Sequence, residues 1–157
     1  MPKRGYHHGN LRQALIDAAL DLIEKRGPTG FTLSEAAKQA GVTLIVNNRP
    51  DGEAADQPSG ADIEAAARAC GLEYKAIPVS GAGFGFPQIK EMRRALDSAQ
   101  GKVLAFCRSG TRSTMLWAMA EAKAGRDIDA IANEASAAGY DTSPIRPTME
   151  LLGKQAG

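Results

Sequence analysis

The sequence has no long hydrophobic run, little net charge and few cysteines. Its 157 residues are 43% hydrophobic and 24% charged, an ordinary composition for a globular protein that can bury a core. The longest apolar runs are too short to span a bilayer, and the basic N-terminus leads into no signal-peptide core. A net charge of +1 argues against a surface built for nucleic acid or anionic membrane. We therefore expect a cytoplasmic protein with no membrane partner, formed by one domain with or without an appendage.

Cysteine and histidine are too few for a disulfide framework or a metal cluster. The two cysteines are not expected to pair in a reducing compartment. Cys70 ends a helical pattern and is interpreted as an ordinary helix residue. His7 and His8 have no carboxylate or thiol ligand pattern around them, so we predict no metal site. Cys107 differs from Cys70, because it follows the apolar run "VLAF" and precedes the polar loop "RSGTRS".

Helical periodicity alternates with short β-branched runs along most of the chain. Strands are predicted at "TLIVNN", "YKAIPV" and "KVLAF", with helical patterns between and after them. This order predicts an α/β fold with a mostly parallel central sheet flanked by helices. Two further helical patterns, within residues 11–27 and 32–41, form an N-terminal helical extension. Ligand sites in such sheets lie at the carboxyl ends of strands, where Cys107 falls.

The loop after Cys107 has the features of an anion cradle. A helix N-terminus exposes unpaired N–H groups, and a loop of small residues around it aims several of them at one point. Gly110 permits the dihedral angles of a tight loop, and Arg108 and Arg112 add cationic donors, of which only one need point inward. A thiol there should be a thiolate at neutral pH, and hence a nucleophile beside an oxyanion site. The candidate anion-binding residues are Arg108, Ser109, Gly110, Thr111 and Ser113.

Two other loops are candidates for the rim of the same site. Arg49 and Asp51 follow the first predicted strand, where they could position substrate or form a structural turn with a salt bridge. Phe84 and Phe86 lie in the glycine-rich "SGAGFGF", where they could wall a pocket or belong to the core. The segment "GAGFGF" lacks the third glycine of a dinucleotide-binding motif, and no acid ends the next strand, so we expect no cofactor.

The loop "CRSGTRS" resembles the active-site loop of rhodanese-type sulfurtransferases and, more distantly, of cysteine-dependent phosphatases. About residues 42–157 resemble one family, the beta-lactamase-hydrolase-like, phosphatase-like domain, on "LIVNNRPDGE", "AGFGFPQ", "LAFCRSGTRSTMLWAMA" and "AGYD". The resemblance implies a cysteine-phosphatase-like fold with Cys107 as the nucleophile. Members of the family are described both as phosphatases and as sulfurtransferases.

The spacing within the loop favours sulfur transfer. Cysteine phosphatases place five residues between nucleophile and arginine, whereas four separate Cys107 from Arg112, as in the rhodanese type. The segment "IPVSGAGFGFPQ" has no acid that could protonate a leaving oxygen. We predict a rhodanese-like sulfurtransferase that forms a persulfide on Cys107, with Arg112 as cationic partner and Ser113 bonded to the thiolate. Its substrates would be a small sulfur donor and a thiol acceptor. The alternative is a phosphatase that forms a phosphocysteine from a phosphorylated substrate.

The N-terminus, about residues 1–41, resembles the start of TetR-type repressors. The resemblance runs through "RGYHHGNLRQALIDAALDLIEKRGPTGFTLSEAAKQAGV", but a strand pattern stands where the recognition helix should begin. We predict a helical arm over residues 1–30 and a catalytic domain over 31–157. A DNA-binding regulator is a second alternative, although nucleic-acid binding is not expected without the recognition helix. A homodimer is predicted if the arm exposes its apolar stripe.

Overall fold

The computed structural model of the chain describes residues 8–156. These residues form three strands, seven α-helices and a short 3-10 helix. The sequence predicts no metal site at His7 and His8. His7 and the side chain of His8 lie outside the described residues. The strands are β1 (Val42–Asn47), β2 (Glu73–Ala76) and β3 (Lys102–Phe106). The helices are α1 (His8–Arg26), α2 (Leu33–Gln39), α3 (Gly60–Ala69), α4 (Phe86–Ser98), α5 (Thr111–Lys123), α6 (Ile128–Ala137) and α7 (Arg146–Lys154), with the 3-10 helix at Ser143–Ile145.

The three strands form a parallel sheet in the order β2-β1-β3, which confirms the predicted α/β fold. Asn47, the last residue of β1, lies opposite Ala76 on one side and Phe106 on the other. The pairing continues past the strand ends, because Asn48 donates its N–H to Phe106 (2.8 Å) and accepts from Val79 (2.9 Å). The loops that follow all three strands therefore begin at one edge of the sheet.

The central strand β1 is covered on both faces. Leu44 and Val46 point into the larger core, which is formed mainly by α4, α5 and residues of α7. Ile45, with no exposed surface, points the other way into a smaller core with residues of α2 and α3. Successive strand residues face opposite sides of a sheet, so the apolar run of β1 is explained by burial on both sides.

The predicted arm packs against the sheet domain. Leu11 and Leu15 of α1 contact the smaller core. Arg26 forms an ion pair with Glu35 of α2 (2.8 Å between Nη1 and Oε1). The opposite face of the first two helices exposes Ile16, Leu20, Ile23 and Leu33. The homodimer expected from this face and the division of the chain at residue 30 both stay predictions.

Strand β1 forms where the sequence predicts a strand, directly after α2. The structure also contains α7, which the sequence patterns did not predict. Pro144 and Pro147 interrupt the periodicity there, but each lies in the first turn of its helix, where a missing N–H is tolerated. Within residues 8–156, no helix has both the length and the apolar character needed to cross a bilayer.

Candidate active site

Cys107 lies directly after β3, at the mouth of α5. It is 9% exposed, and its sulfur accepts a hydrogen bond from the N–H of Gly110 at 3.1 Å. Gly110 precedes α5 and has a φ of +87°, in the left-handed region that glycine adopts without strain. The backbone from Cys107 to the first turn of α5 therefore curls around the sulfur.

The surroundings of Cys107 favour its thiolate. Burial disfavours the charged form, but this effect is outweighed by interactions of the sulfur with the N–H and hydroxyl of Ser113 and with the N–H groups of Ser109 and Gly110. The pKa of the Cys107 thiol is consequently lowered from its ordinary value. The buried Ser113 hydroxyl forms no hydrogen bond of standard geometry with any described residue, so its contribution to the lowered pKa of Cys107 is a polar interaction weaker than a full hydrogen bond.

The loop is enclosed on its outer side by Tyr140. The Tyr140 hydroxyl donates to the carbonyl oxygen of Ser109 (3.1 Å). A Cβ atom placed on Gly110 would lie only 2.1 Å from that hydroxyl oxygen. Gly110 is therefore required both by its φ and by the close approach of Tyr140. Arg108, Ser109 and Thr111 are exposed.

Arg112 faces a carboxylate that the sequence did not single out. Its Nη1 and Nη2 donate to the two oxygens of Glu53, at 2.5 and 2.9 Å, and Nη1 also donates to the Val79 carbonyl at 2.7 Å. Arg49 donates to the same carboxylate from its Nε at 3.0 Å. Glu53 thus joins the loop after β1 to the first turn of α5. No local pattern could have revealed this pairing, because Glu53 and Arg112 are 59 residues apart in the chain.

Glu53 is fully ionised at neutral pH. Its hydrogen bonds to Arg112 and, less strongly, to Arg49 lower the pKa of the carboxyl from 4.5 to about 2. A general acid must hold a proton at the working pH. Glu53 in this arrangement is therefore not the proton donor that was missing from the sequence.

The predicted rim residues separate into two groups. Arg49 reaches the site through Glu53, whereas Asp51 accepts a hydrogen bond from the N–H of Gly60 at 2.7 Å, at the start of α3. Of the two interpretations that the sequence allowed for Asp51, this contact favours a structural turn over substrate positioning. Phe84 packs against the larger core.

Phe86 is the first residue of α4 and is 51% exposed, and its place in a pocket wall stays a prediction. Its ring lies 4.7 Å from the Lys123 ammonium, at the far end of α5 from Thr111. The start of α4 is joined to the segment after β2, because Gln88 donates from its Nε2 to the Pro78 carbonyl at 2.7 Å.

Among residues 8–156, no three His, Cys, Asp or Glu side chains are grouped so that they could hold a metal ion. The chemistry that this site offers on its own is that of a thiolate nucleophile in a ring of N–H donors, next to a guanidinium.

A profile of the family described as "Beta-lactamase hydrolase-like protein, phosphatase-like domain" matches residues 30–124. The chain belongs to this family. The sequence predicted the family over about residues 42–157, whereas the match starts earlier and ends at residue 124, taking in α2, the three strands and α5. The family match thus contains both Glu53 and the Cys107 loop.

Curated relatives share this part of the chain. The "Beta-lactamase hydrolase-like protein" of Xylella fastidiosa is 43% identical over 86 residues, and that of Agrobacterium fabrum is 40% identical over 86 residues. Each match covers 55% of this chain, which spans 20% of the length of these relatives. The phosphatase-like domain is therefore one part of those larger proteins.

Solved structures confirm the cysteine-phosphatase-type fold. A structure from Neisseria meningitidis, described as that of a candidate phosphatase, has a TM-score of 0.65 and 31% identity. The match covers 76% of this chain and 84% of that one. A second candidate phosphatase, from Shewanella putrefaciens, has a TM-score of 0.58 at 22% identity over 78% of this chain and 80% of its own. The second likeness supports the fold alone.

Proposed function

We propose that this phosphatase-like domain is a cysteine-dependent phosphatase that hydrolyses phosphate monoesters through a phosphocysteine on Cys107. The sequence alone favoured sulfur transfer over phosphate hydrolysis, and the present proposal reverses that order. The observation that carries this proposal is the environment of the Cys107 sulfur at the mouth of α5. The sulfur accepts a hydrogen bond from a backbone N–H group, and the pKa of the thiol is lowered. The family match and the Neisseria neighbour add support for phosphoryl rather than sulfur chemistry.

The reaction proceeds in two balanced steps. The Cys107 thiolate attacks phosphorus, an S–P bond forms, and the ester P–O bond breaks with its electron pair leaving on oxygen. Water then attacks the phosphocysteine, the S–P bond breaks, and the thiolate is restored as inorganic phosphate departs. The N–H groups of the loop and the Arg112 guanidinium stabilise the negative charge on the phosphoryl oxygens in both steps. Because Glu53 holds no proton, we expect aryl phosphates, whose phenolate can leave unprotonated, to be the favoured esters.

Sulfur transfer is the second candidate, because the four-residue spacing from Cys107 to Arg112 resembles that of rhodaneses. In that reaction the thiolate attacks the outer sulfur of a donor such as thiosulfate. The donor S–S bond breaks, sulfite leaves, and a persulfide forms on Cys107. An acceptor thiolate or cyanide then takes the outer sulfur and restores the Cys107 thiolate. No step needs a general acid, which agrees with an ionised Glu53.

Two assays on the same purified chain separate these candidates. One measures hydrolysis of p-nitrophenyl phosphate, and the other measures thiocyanate formation from thiosulfate and cyanide. Cys107→Ser should abolish the true activity, whereas the matched control Cys70→Ser should leave it unchanged, because Cys70 lies at the end of α3. Thiocyanate formation that depends on Cys107, without phosphate release, would replace the phosphatase proposal by sulfur transfer.

A further inference from the structure

A cavity of about 540 Å³ opens between α6, the segment that leads to α7, and the start of α7. Cavities of this size enclose small organic molecules. Part of the lining is apolar, because it includes Ile128, Ala132 and the fully buried Met149. Tyr140 also lines the cavity, and the hydroxyl of this residue donates to the Ser109 carbonyl. The cavity therefore lies beside the loop that follows the nucleophile, on the side that the tyrosine encloses.

Three polar side chains that line the cavity form no hydrogen bond with any residue in the range 8–156. They are Asn133 and Ser136, both on α6, and Thr142. Thr142 is only 4% exposed, so bulk water does not readily supply a partner for its hydroxyl. A buried polar group without a partner costs free energy and is uncommon in folded proteins. These three side chains are therefore available to a ligand in the cavity.

The charge around the cavity is negative. Arg146 lines it, but its guanidinium is paired with two carboxylates, those of Asp129 (2.8 Å) and Glu150 (3.1 Å). The Asp141 carboxylate lines the cavity as well, and it forms no ion pair with any of the described residues. The carboxyl end of α6, at Ala137, adds the negative end of a helix dipole. A cation is therefore favoured in this cavity over an anion.

The Asp141 carboxylate is held in place by Ser143. Its Oδ1 accepts a hydrogen bond from the Ser143 N–H and its Oδ2 accepts one from the Ser143 hydroxyl, both at 2.8 Å. The backbone hydrogen bond and, less strongly, the hydroxyl hydrogen bond lower the pKa of Asp141, so the carboxylate is ionised at neutral pH. Each carboxylate oxygen can accept a further hydrogen bond. Asp141 is thus fixed in position and still able to accept from N–H donors.

We propose that this cavity is a second binding site, which takes a small organic ammonium ion that carries an alkyl chain. The ammonium group donates to the Asp141 carboxylate and to the hydroxyl oxygens of Ser136 and Thr142, while the chain packs on the apolar part of the lining. A carboxylate of the same size would instead meet the charge of Asp141 and the negative end of α6. The site goes beyond the proposed function, because it is the same whether Cys107 transfers phosphoryl or sulfur.

The test compares n-butylammonium with butyrate, two probes of similar size and opposite charge, at constant ionic strength. Amide chemical shifts of the ¹⁵N-labelled full chain report where each probe binds. We expect n-butylammonium to shift the amides of residues 128–146 saturably, and butyrate to leave them unchanged at the same concentrations. In Asp141→Asn, which keeps an acceptor for the Ser143 N–H, the Kd for n-butylammonium should rise at least about fivefold. Asp97→Asn is the matched control and should leave the Kd unchanged, because Asp97 pairs with Arg93 (2.7 Å) on α4.

Thr142→Val distinguishes a ligand-binding hydroxyl from a structural one. Valine has nearly the same shape, and the hydroxyl that it removes has no partner among residues 8–156, so the midpoint of chemical denaturation should stay the same or rise. The Kd for n-butylammonium should nevertheless rise about threefold, which also serves if Asp141→Asn fails to fold. The absence of saturable shifts at residues 128–146 would overturn the proposal. Butyrate binding there as tightly as n-butylammonium would also overturn it, as would an unchanged Kd in either cavity variant.

Discussion

The Tyr140 hydroxyl donates a hydrogen bond to the Ser109 carbonyl at 3.1 Å, and so closes the nucleophile loop from the side of the segment after α6. This contact passes directly over Gly110, where a side chain would meet the tyrosine. The loop is thus shaped by a residue 31 positions away as well as by its own sequence. Tyr140 lies outside the Cys107 loop, yet its approach leaves no room for a side chain at Gly110.

Gly110→Ala is expected to damage both the loop and stability. The new methyl group would have to occupy space taken by Tyr140 at a φ of +87°. We expect a loss of more than about 2 kcal/mol in the free energy of unfolding, together with slower alkylation of Cys107 at neutral pH. Chemical denaturation and iodoacetamide kinetics measure the two effects.

The control for this substitution is Gly71→Ala. Gly71 has a φ of +75°, but open space lies where its Cβ would be. It should therefore lose only about 1 kcal/mol from backbone strain and leave alkylation of Cys107 unchanged. Equal losses in the two variants would show that the approach of Tyr140 has no energetic consequence.

The rate of Cys107 alkylation should depend on pH. An ordinary thiol has a pKa of about 8.5, and the midpoint for Cys107 should lie below that value. The rate rises as the thiolate forms and is level above the midpoint. Ser113→Ala should move the midpoint upward, because it removes the polar interaction of the hydroxyl with the sulfur while leaving the backbone N–H groups in place. A midpoint at or above the ordinary value in the parent protein would contradict the cradle.

The same lowered pKa links stability to pH. Since the folded-state pKa of Cys107 lies below the unfolded value, ionisation stabilises the folded protein fully above the unfolded pKa, and this contribution is lost as pH falls through the folded pKa. The parent should therefore gain stability relative to Cys107→Ser as pH rises through that window. Denaturation at several pH values tests the sign, and a constant difference between the two proteins would count against it.

Hydrolysis rates should depend steeply on the leaving group. With Glu53 ionised down to about pH 2, it supplies no proton, so kcat/KM should fall sharply from p-nitrophenyl phosphate to alkyl phosphates. For the same reason, kcat/KM should show no decline between about pH 5 and 8 from loss of a proton on Glu53. Similar rates for aryl and alkyl esters would indicate a proton donor elsewhere in the site.

The buried charges around α5 should matter for stability. Glu121 is 4% exposed and pairs with Arg93 (2.6 Å) and Arg126 (2.8 Å). Glu121→Gln leaves two cations with reduced compensation, and we expect a loss of about 3 kcal/mol in the free energy of unfolding. Glu64→Gln in the exposed Glu64–Arg68 pair is the control, with a loss under about 1 kcal/mol. Comparable losses would show that burial of Glu121 is unimportant.

Much of the fold was predictable because local physics determines it. Strand β1 is apolar on both faces, and Thr32 with Glu35 forms the cap that begins α2, so both follow from short stretches of sequence. The family resemblance was likewise visible in the Cys107 loop, and the match to residues 30–124 confirms it. By contrast, α7 was not predicted, because the prolines near its start interrupt the helical pattern in the sequence. The helix is stabilised by packing of Met149 and Leu152 into the larger core.

By itself, the sequence determined the strand end, the thiol and the small residues that make an anion cradle, because the cradle is built from consecutive residues at the start of one helix. Only the tertiary structure decided which side chains surround it. It brought Glu53 to Arg112, set Tyr140 against Gly110 and placed the Phe86 ring beside the Lys123 ammonium. The physical reason is that parallel strands gather distant loops at one edge of the sheet, while the course of each loop beyond that edge depends on the packing of the helix that follows it.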